Sequence, residues 1–119
     1  MKLAVLEPES AALRRYLSRR RPLISSALAR TEVTRALLPL GSDTVRRGHD
    51  VLARIDLMRV SDRLLSVAGG LLPVELRSLD AIHLATALEL GSDLAHLVTY
   101  DERMTNAARA LKLAVTAPR

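Results

Sequence analysis

Between Ser78 and Gly91 the chain reads Leu79, Ala81, Ile82, Leu84, Ala85, Ala87, Leu88 and Leu90 with few polar interruptions. Wound as a helix, these residues place apolar side chains on almost every face. A helix with no broad polar face has to be largely buried by the rest of the chain. That requirement sets the problem for the other residues of a 119-residue chain, a length that fits one domain. Ser78 is the expected N-cap of this helix and Gly91 its stop.

The flanking segments supply the cover. Ala95 to Tyr100 reads as a strand, Glu102 to Leu111 as a helix and Leu113 to Thr116 as a last strand. On the other side, Pro8 suits the first position of a helix running to about Arg19, with Ala12, Leu13, Tyr16 and Leu17 at helical spacing. Leu23 to Ser25 is a short strand, and Ser25 or Ser26 caps a helix to about Leu38, ended by Pro39, Leu40 and Gly41. Ser42 caps a third helix to about Ile55, Leu57 to Val60 is a candidate strand, and Ser61 and Asp62 start a short helix that stops at Gly69 and Gly70. Strands alternating with helices predict an α/β fold, a parallel sheet with helices on both faces. No internal repeat, low-complexity segment or linker interrupts this pattern.

Bulk chemistry narrows the function. Apolar residues make up 49% of the chain, enough for a core, yet no uncharged apolar run reaches the ~18 residues of a membrane span. The opening MKLAVLEPES is too short and too soon acidic for a secretory signal. With no cysteine there are no disulfides and no thiolate–zinc chemistry, which fits a reducing cytoplasm. The net charge is +5, and arginine supplies 16 of the 18 basic residues. A basic surface attracts nucleic acid, although GC-rich coding would raise arginine equally. There is no Trp or Phe and only two Tyr, which argues against a base-stacking platform, so nucleic acid would be held mainly through its phosphates.

Three carboxylates stand out by position. Asp80 lies in the first turn of the apolar helix, where the helix dipole favours an acid by roughly 0.3–1 kcal/mol. In so apolar a helix the carboxylate is also sheltered, which is costly unless it is paired or bound to a metal. Asp101 follows Leu97-Val98-Thr99-Tyr100; it reads as an N-cap, or as a group at the carboxyl end of a parallel strand, where ligands of such sheets bind. Glu32 opens the helix after the first strand and reads either as a surface partner of Arg35 or as a third acid on the same sheet edge. Three converging carboxylates repel one another unless a cation lies between them. Oxygen-only ligation suits Mg²⁺ or Mn²⁺, and such an ion activates water and steadies phosphate oxygens. His83 lies one turn after Asp80 as a possible contact to the site, or as an ordinary half-buried histidine. Thr99 and Ser78 are candidates to hydrogen-bond the carboxylates, or an ordinary strand residue and an ordinary cap.

The segments SSALARTEVTRAL, RSLDAIHLATALELG and LVTYDERMTNAARALKL resemble the conserved blocks of PIN-domain ribonucleases, above all the VapC-type toxins of bacterial toxin–antitoxin pairs. DAIHLATAL and TYDERM are the most specific parts, AVLEPESAALRRYL adds a further likeness, and the resemblance covers essentially the whole chain. It implies a three-layer α/β/α fold with a parallel sheet. It also implies a Mg²⁺- or Mn²⁺-dependent endoribonuclease, commonly a homodimer, acting on translation-related RNA such as transfer or ribosomal RNA and blocked by a cognate antitoxin. By motif, Glu32, Asp80 and Asp101 fall on three of the family's acids.

One feature departs from the family. Its members begin with an apolar strand ending in Asp-x-Ser, and that Asp is a metal ligand; here no Asp precedes Asp43. Glu7 matches a later, non-catalytic segment and is no substitute. The expectation is a PIN-like domain over residues 1–119 lacking its first strand, either because translation starts at an upstream codon or because the gene is truncated. Two functions remain open. One is an RNase toxin; the other is a catalytically impaired scaffold that binds antitoxin or RNA. A basic DNA-binding domain fits poorly, since a compact three-helix pattern is missing.

Overall fold

The structure is a computed structural model that describes residues 10–18, 23–94 and 96–118. Pro8, Arg19 and Ala95, expected at element ends, lie outside the described residues, as does Glu7. The fold is α/β with parallel strands, as the alternating pattern predicts. The chain divides into two units, residues 1–58 with 118–119, and residues 59–117.

In the first unit the elements are α1 (Ser10–Ser18), β1 (Ile24–Ser26), α2 (Ala29–Leu37), α3 (Ser42–Leu52) and β2 (Asp56–Met58). Strands β1 and β2 pair in parallel, Ile24 opposite Asp56 and Ser26 opposite Met58. The ladder is extended at both ends by Asp56 N–H to Leu23 O at 2.7 Å and Ala27 N–H to Met58 O at 2.8 Å. The serines expected as caps behave otherwise. Ser26 is buried and its hydroxyl accepts from Leu28 N–H at 3.1 Å, closing the turn between β1 and α2, while α2 takes Leu28 as its N-cap with no side-chain cap bond. Ser42 is the first residue of α3, and Gly41, at φ 100°, occupies the cap position. Helices α2 and α3 pack closely, because Gly48 presents no side chain to Leu37 and Val33.

In the second unit the elements are α4 (Asp62–Gly69), α5 (Ser78–Leu90), β3 (Leu97–Val98), α6 (Glu102–Ala110) and β4 (Val115–Thr116). Ser61 caps α4 as expected, its hydroxyl accepting from Leu64 N–H at 3.1 Å. Helix α5 is the apolar helix of the sequence, and two core clusters explain its composition. Ala81 and Ala85 pack with Leu64 and Ala68 of α4. Leu84, fully buried, packs with Ala107 and Ala108 of α6 and is joined by Leu97 and Val115 of the strands. Burial is incomplete at its start, where Leu79 is 47% exposed, and at its end, where Glu89 is exposed and Leu88 and Leu90 are half-buried. The expected Ser78 cap is not formed: Ser78 is the first helical residue, and Arg77 stands at the cap position with no side-chain bond.

Strands β3 and β4 form a second parallel ladder, Leu97 opposite Val115 and Val98 opposite Thr116. Among the described residues the parallel pairing therefore comprises two two-stranded ladders. The strand expected over 95–100 shortens to Leu97–Val98 because its partner is short, and Pro118 has no N–H with which to lengthen it. The strand expected over 57–60 shifts to Asp56–Met58, and Val60 instead packs on the α4–α5 core.

Candidate active site

Each acid singled out by the sequence sits at the start of a helix. Glu32 is half-buried in the first turn of α2, in the first unit. The ion pair expected with Arg35 is not among those the described residues make, where Arg46 to Asp43 is found at 3.0 Å. Asp80 is half-buried in the first turn of α5, and its helix gains no side-chain cap bond. No hydrogen bond or ion pair of its carboxylate occurs among the described residues. A half-buried carboxylate without a protein partner is costly, and a bound cation is one way to compensate it.

Asp101 realises its capping reading. Its Oδ1 accepts from Arg103 N–H at 2.8 Å and from Met104 N–H at 3.3 Å, satisfying donors that the first turn of α6 would leave unpaired. The side chain is exposed, and the cap occupies Oδ1 alone, so Oδ2 retains its acceptor capacity. Thr99 supports this residue through the backbone: its hydroxyl accepts from Asp101 N–H at 3.1 Å. Thr105 Oγ1 donates to Asp101 O at 2.9 Å and ties the cap to the next turn. His83 is half-buried one turn after Asp80 and already has an interaction partner, in keeping with an ordinary half-buried histidine. Ser78 is exposed at the start of α5.

Asp80 and Asp101 thus belong to one unit, at the N-terminal ends of two helices that share the core cluster around Leu84. Glu32 belongs to the other unit. Among the described residues no group of three or more His, Asp or Glu side chains is gathered closely enough to hold a metal ion. The donor chemistry of the three acids suits Mg²⁺ or Mn²⁺, but the described residues do not assemble a closed ligand set. The sequence also passed over Arg30, Thr34, His49 and Asp56, which line a polar cleft in the first unit. Arg30 and Thr34 stand four residues apart on α2, a spacing that could have marked a shared face.

A profile of the PIN domain matches residues 3–110. The chain belongs to the PIN-domain family. Within that family it is similar to Ribonuclease VapC46 of Mycobacterium tuberculosis (strain ATCC 25618 / H37Rv), with 62% identity over 118 residues, 99% of this chain and 91% of that protein. Ribonuclease VapC35 of the same strain is 44% identical over 122 residues, 99% of this chain and 90% of that protein. Ribonuclease VapC47 of strain CDC 1551 / Oshkosh is 31% identical, covering 98% of this chain and 90% of that protein. The likeness is therefore to VapC-type members of the PIN-domain family. No solved structure gives a significant match.

Proposed function

We infer that this PIN-domain protein is an endoribonuclease of the VapC type, the toxin of a toxin–antitoxin pair. The observation that carries this reading is 62% identity to a ribonuclease over 99% of the chain. The basic net charge of +5 and the scarcity of aromatic residues support recognition of RNA through its phosphates.

Hydrolysis depends on Mg²⁺ or Mn²⁺ held by Glu32, Asp80 and Asp101. The half-buried, unpartnered carboxylate of Asp80 supports that assignment most directly. Asp101 combines a cap through Oδ1 with ligation through Oδ2. Residues 1–119 form one PIN-like domain. The substrate is transfer or ribosomal RNA, a cognate antitoxin blocks the site, and two copies form a homodimer in the cytoplasm. Among the described residues no helix is long and apolar enough to cross a membrane.

The alternative is an impaired scaffold that binds antitoxin or RNA without cutting. Cleavage of RNA in Mn²⁺, compared with Asp80→Asn, separates the two: metal-dependent cutting lost in the variant supports the enzyme, and its absence from folded protein supports the scaffold.

A further inference from the structure

An open cleft of about 560 Å³ lies in the first unit, between α2, α3 and the start of β2. Its volume falls within the roughly 300–1,000 Å³ typical of small-molecule sites. Arg30 and Thr34 line it from α2, His49 and Leu52 from α3, and Ile55 and Asp56 from the entry to β2. Glu32 does not line it. Arg30 and Thr34 share a helix face at i and i+4, and the residue midway between them is turned to the other side.

Thr34 and His49 hold each other in the cleft, while the exposed side chains of Arg30 and Asp56 are unspent. Thr34 Oγ1 donates its only proton to Arg30 O at 2.7 Å, so toward His49 Nε2, at 3.1 Å, it can only accept. That fixes the proton of His49 on Nε2 and leaves Nδ1 as the ring's remaining hydrogen-bonding atom. The Arg30 guanidinium makes no hydrogen bond or ion pair among the described residues, and neither does the Asp56 carboxylate. Two opposite charges thus line one cleft without neutralising each other. Leu52 and Ile55 supply apolar surface beside them.

We propose that this cleft is a nucleotide-binding site, with Arg30 taking the phosphate and Asp56 accepting from a ribose hydroxyl or base amino group. A nucleotide carries all three features the cleft complements: an anion, a hydrogen-bond donor and a flat apolar face. A guanidinium matches phosphate oxygens in geometry as well as charge. The ligand is a free mononucleotide or one nucleotide of an RNA strand. The site does not depend on the carboxylates at the helix starts or on their metal.

Binding is measured with the full chain in EDTA, so that cleavage plays no part and failure of the nuclease reading leaves the result interpretable. Ribonucleoside 5′-monophosphates, the matching nucleosides and a short single-stranded RNA are titrated against ¹⁵N-labelled protein. The expected result is saturable shifts at Arg30, Thr34 and His49 with the monophosphates or the RNA, and weaker ones with the nucleosides. Arg30→Gln should weaken binding roughly ten-fold or more, the loss expected for a charge-assisted contact. Asp56→Asn should weaken it less. Arg109→Gln, the same charge change on α6, should leave it unaltered. Saturation by monophosphates alone assigns a free nucleotide, and saturation by the RNA assigns a strand. No saturable shift in the cleft with any of them, or equal weakening by Arg30→Gln and Arg109→Gln, overturns the proposal.

Discussion

Replacing Gly48 by alanine adds one methyl group where α3 meets α2. Its Cβ would collide with Leu37 Cδ1 and stand 3.0 Å from Val33 Cγ1. Leu37 is 1% exposed, so its side chain cannot swing into solvent to make room. Two effects oppose each other. Alanine is favoured over glycine inside a helix by about 1 kcal/mol. Overfilling a packed contact costs about 1–3 kcal/mol. The collision involves a buried neighbour on another helix, so the packing cost wins and the variant should lose about 1–2 kcal/mol. Urea unfolding followed by circular dichroism should show a lower midpoint with an unchanged slope. Gly69, at the end of α4, is the control: a Cβ there meets nothing within 4 Å. Gly69→Ala should be neutral or stabilising by about 0.4–1 kcal/mol. In a double-mutant cycle, Leu37→Ala should relieve part of the Gly48→Ala penalty, a coupling of about 0.5–3 kcal/mol. If Gly48→Ala proves as stable as the parent, the close α2–α3 contact is wrong.

Lys112 holds φ 63° just after α6, and the bonds Lys112 N–H to Arg109 O at 2.9 Å and Leu113 N–H to Ala108 O at 3.0 Å close the helix as a Schellman turn. Lys112→Gly should therefore stabilise by about 0.5 kcal/mol, since relief of ~1–2 kcal/mol of left-handed strain outweighs the entropy cost of glycine; a lower thermal midpoint would contradict this. Asp101→Asn keeps a good cap and should change stability by less than ~0.5 kcal/mol while abolishing RNA cleavage, whereas Asp101→Ala should lose both activity and about 1 kcal/mol. Equal activity of Asp101→Asn and the parent would leave Asp101 with its capping role alone. Leu84→Ala, at a fully buried position between α5 and α6, should cost about 2–5 kcal/mol in denaturant unfolding.

The elements that the sequence revealed are those whose signals are local. The apolar helix 78–90 needed cover on several faces, and the structure gives it α4 on one side and α6 with two strands on another. Ser61 before Asp62 and Asp101 before Glu102 are true caps because each side-chain oxygen meets the N–H groups of its own first turn. Ser26, Ser42 and Ser78 carry the same residue type and do not cap. At Ser26 the hydroxyl is taken by a turn, and at Ser42 and Ser78 the helix starts one residue earlier than a serine cap allows. Strand lengths depended on partners far along the chain, so Leu97–Val98 could not be bounded from 95–100 alone. The same limit applies to the site. Glu32, Asp80 and Asp101 were found by motif and by position at helix starts, but whether acids gather is a property of tertiary packing. The cleft around Arg30 escaped notice because Asp56 and His49 reach it only through the fold.

RNA cleavage in Mn²⁺ by purified protein bears most directly on whether this chain is a ribonuclease. The 119-residue chain should be assayed beside its Asp80→Asn variant. The expected result is cutting that is stopped by EDTA and by Asp80→Asn while circular dichroism is unchanged. Folded protein that does not cut, or cutting that persists undiminished in Asp80→Asn, would contradict the ribonuclease reading.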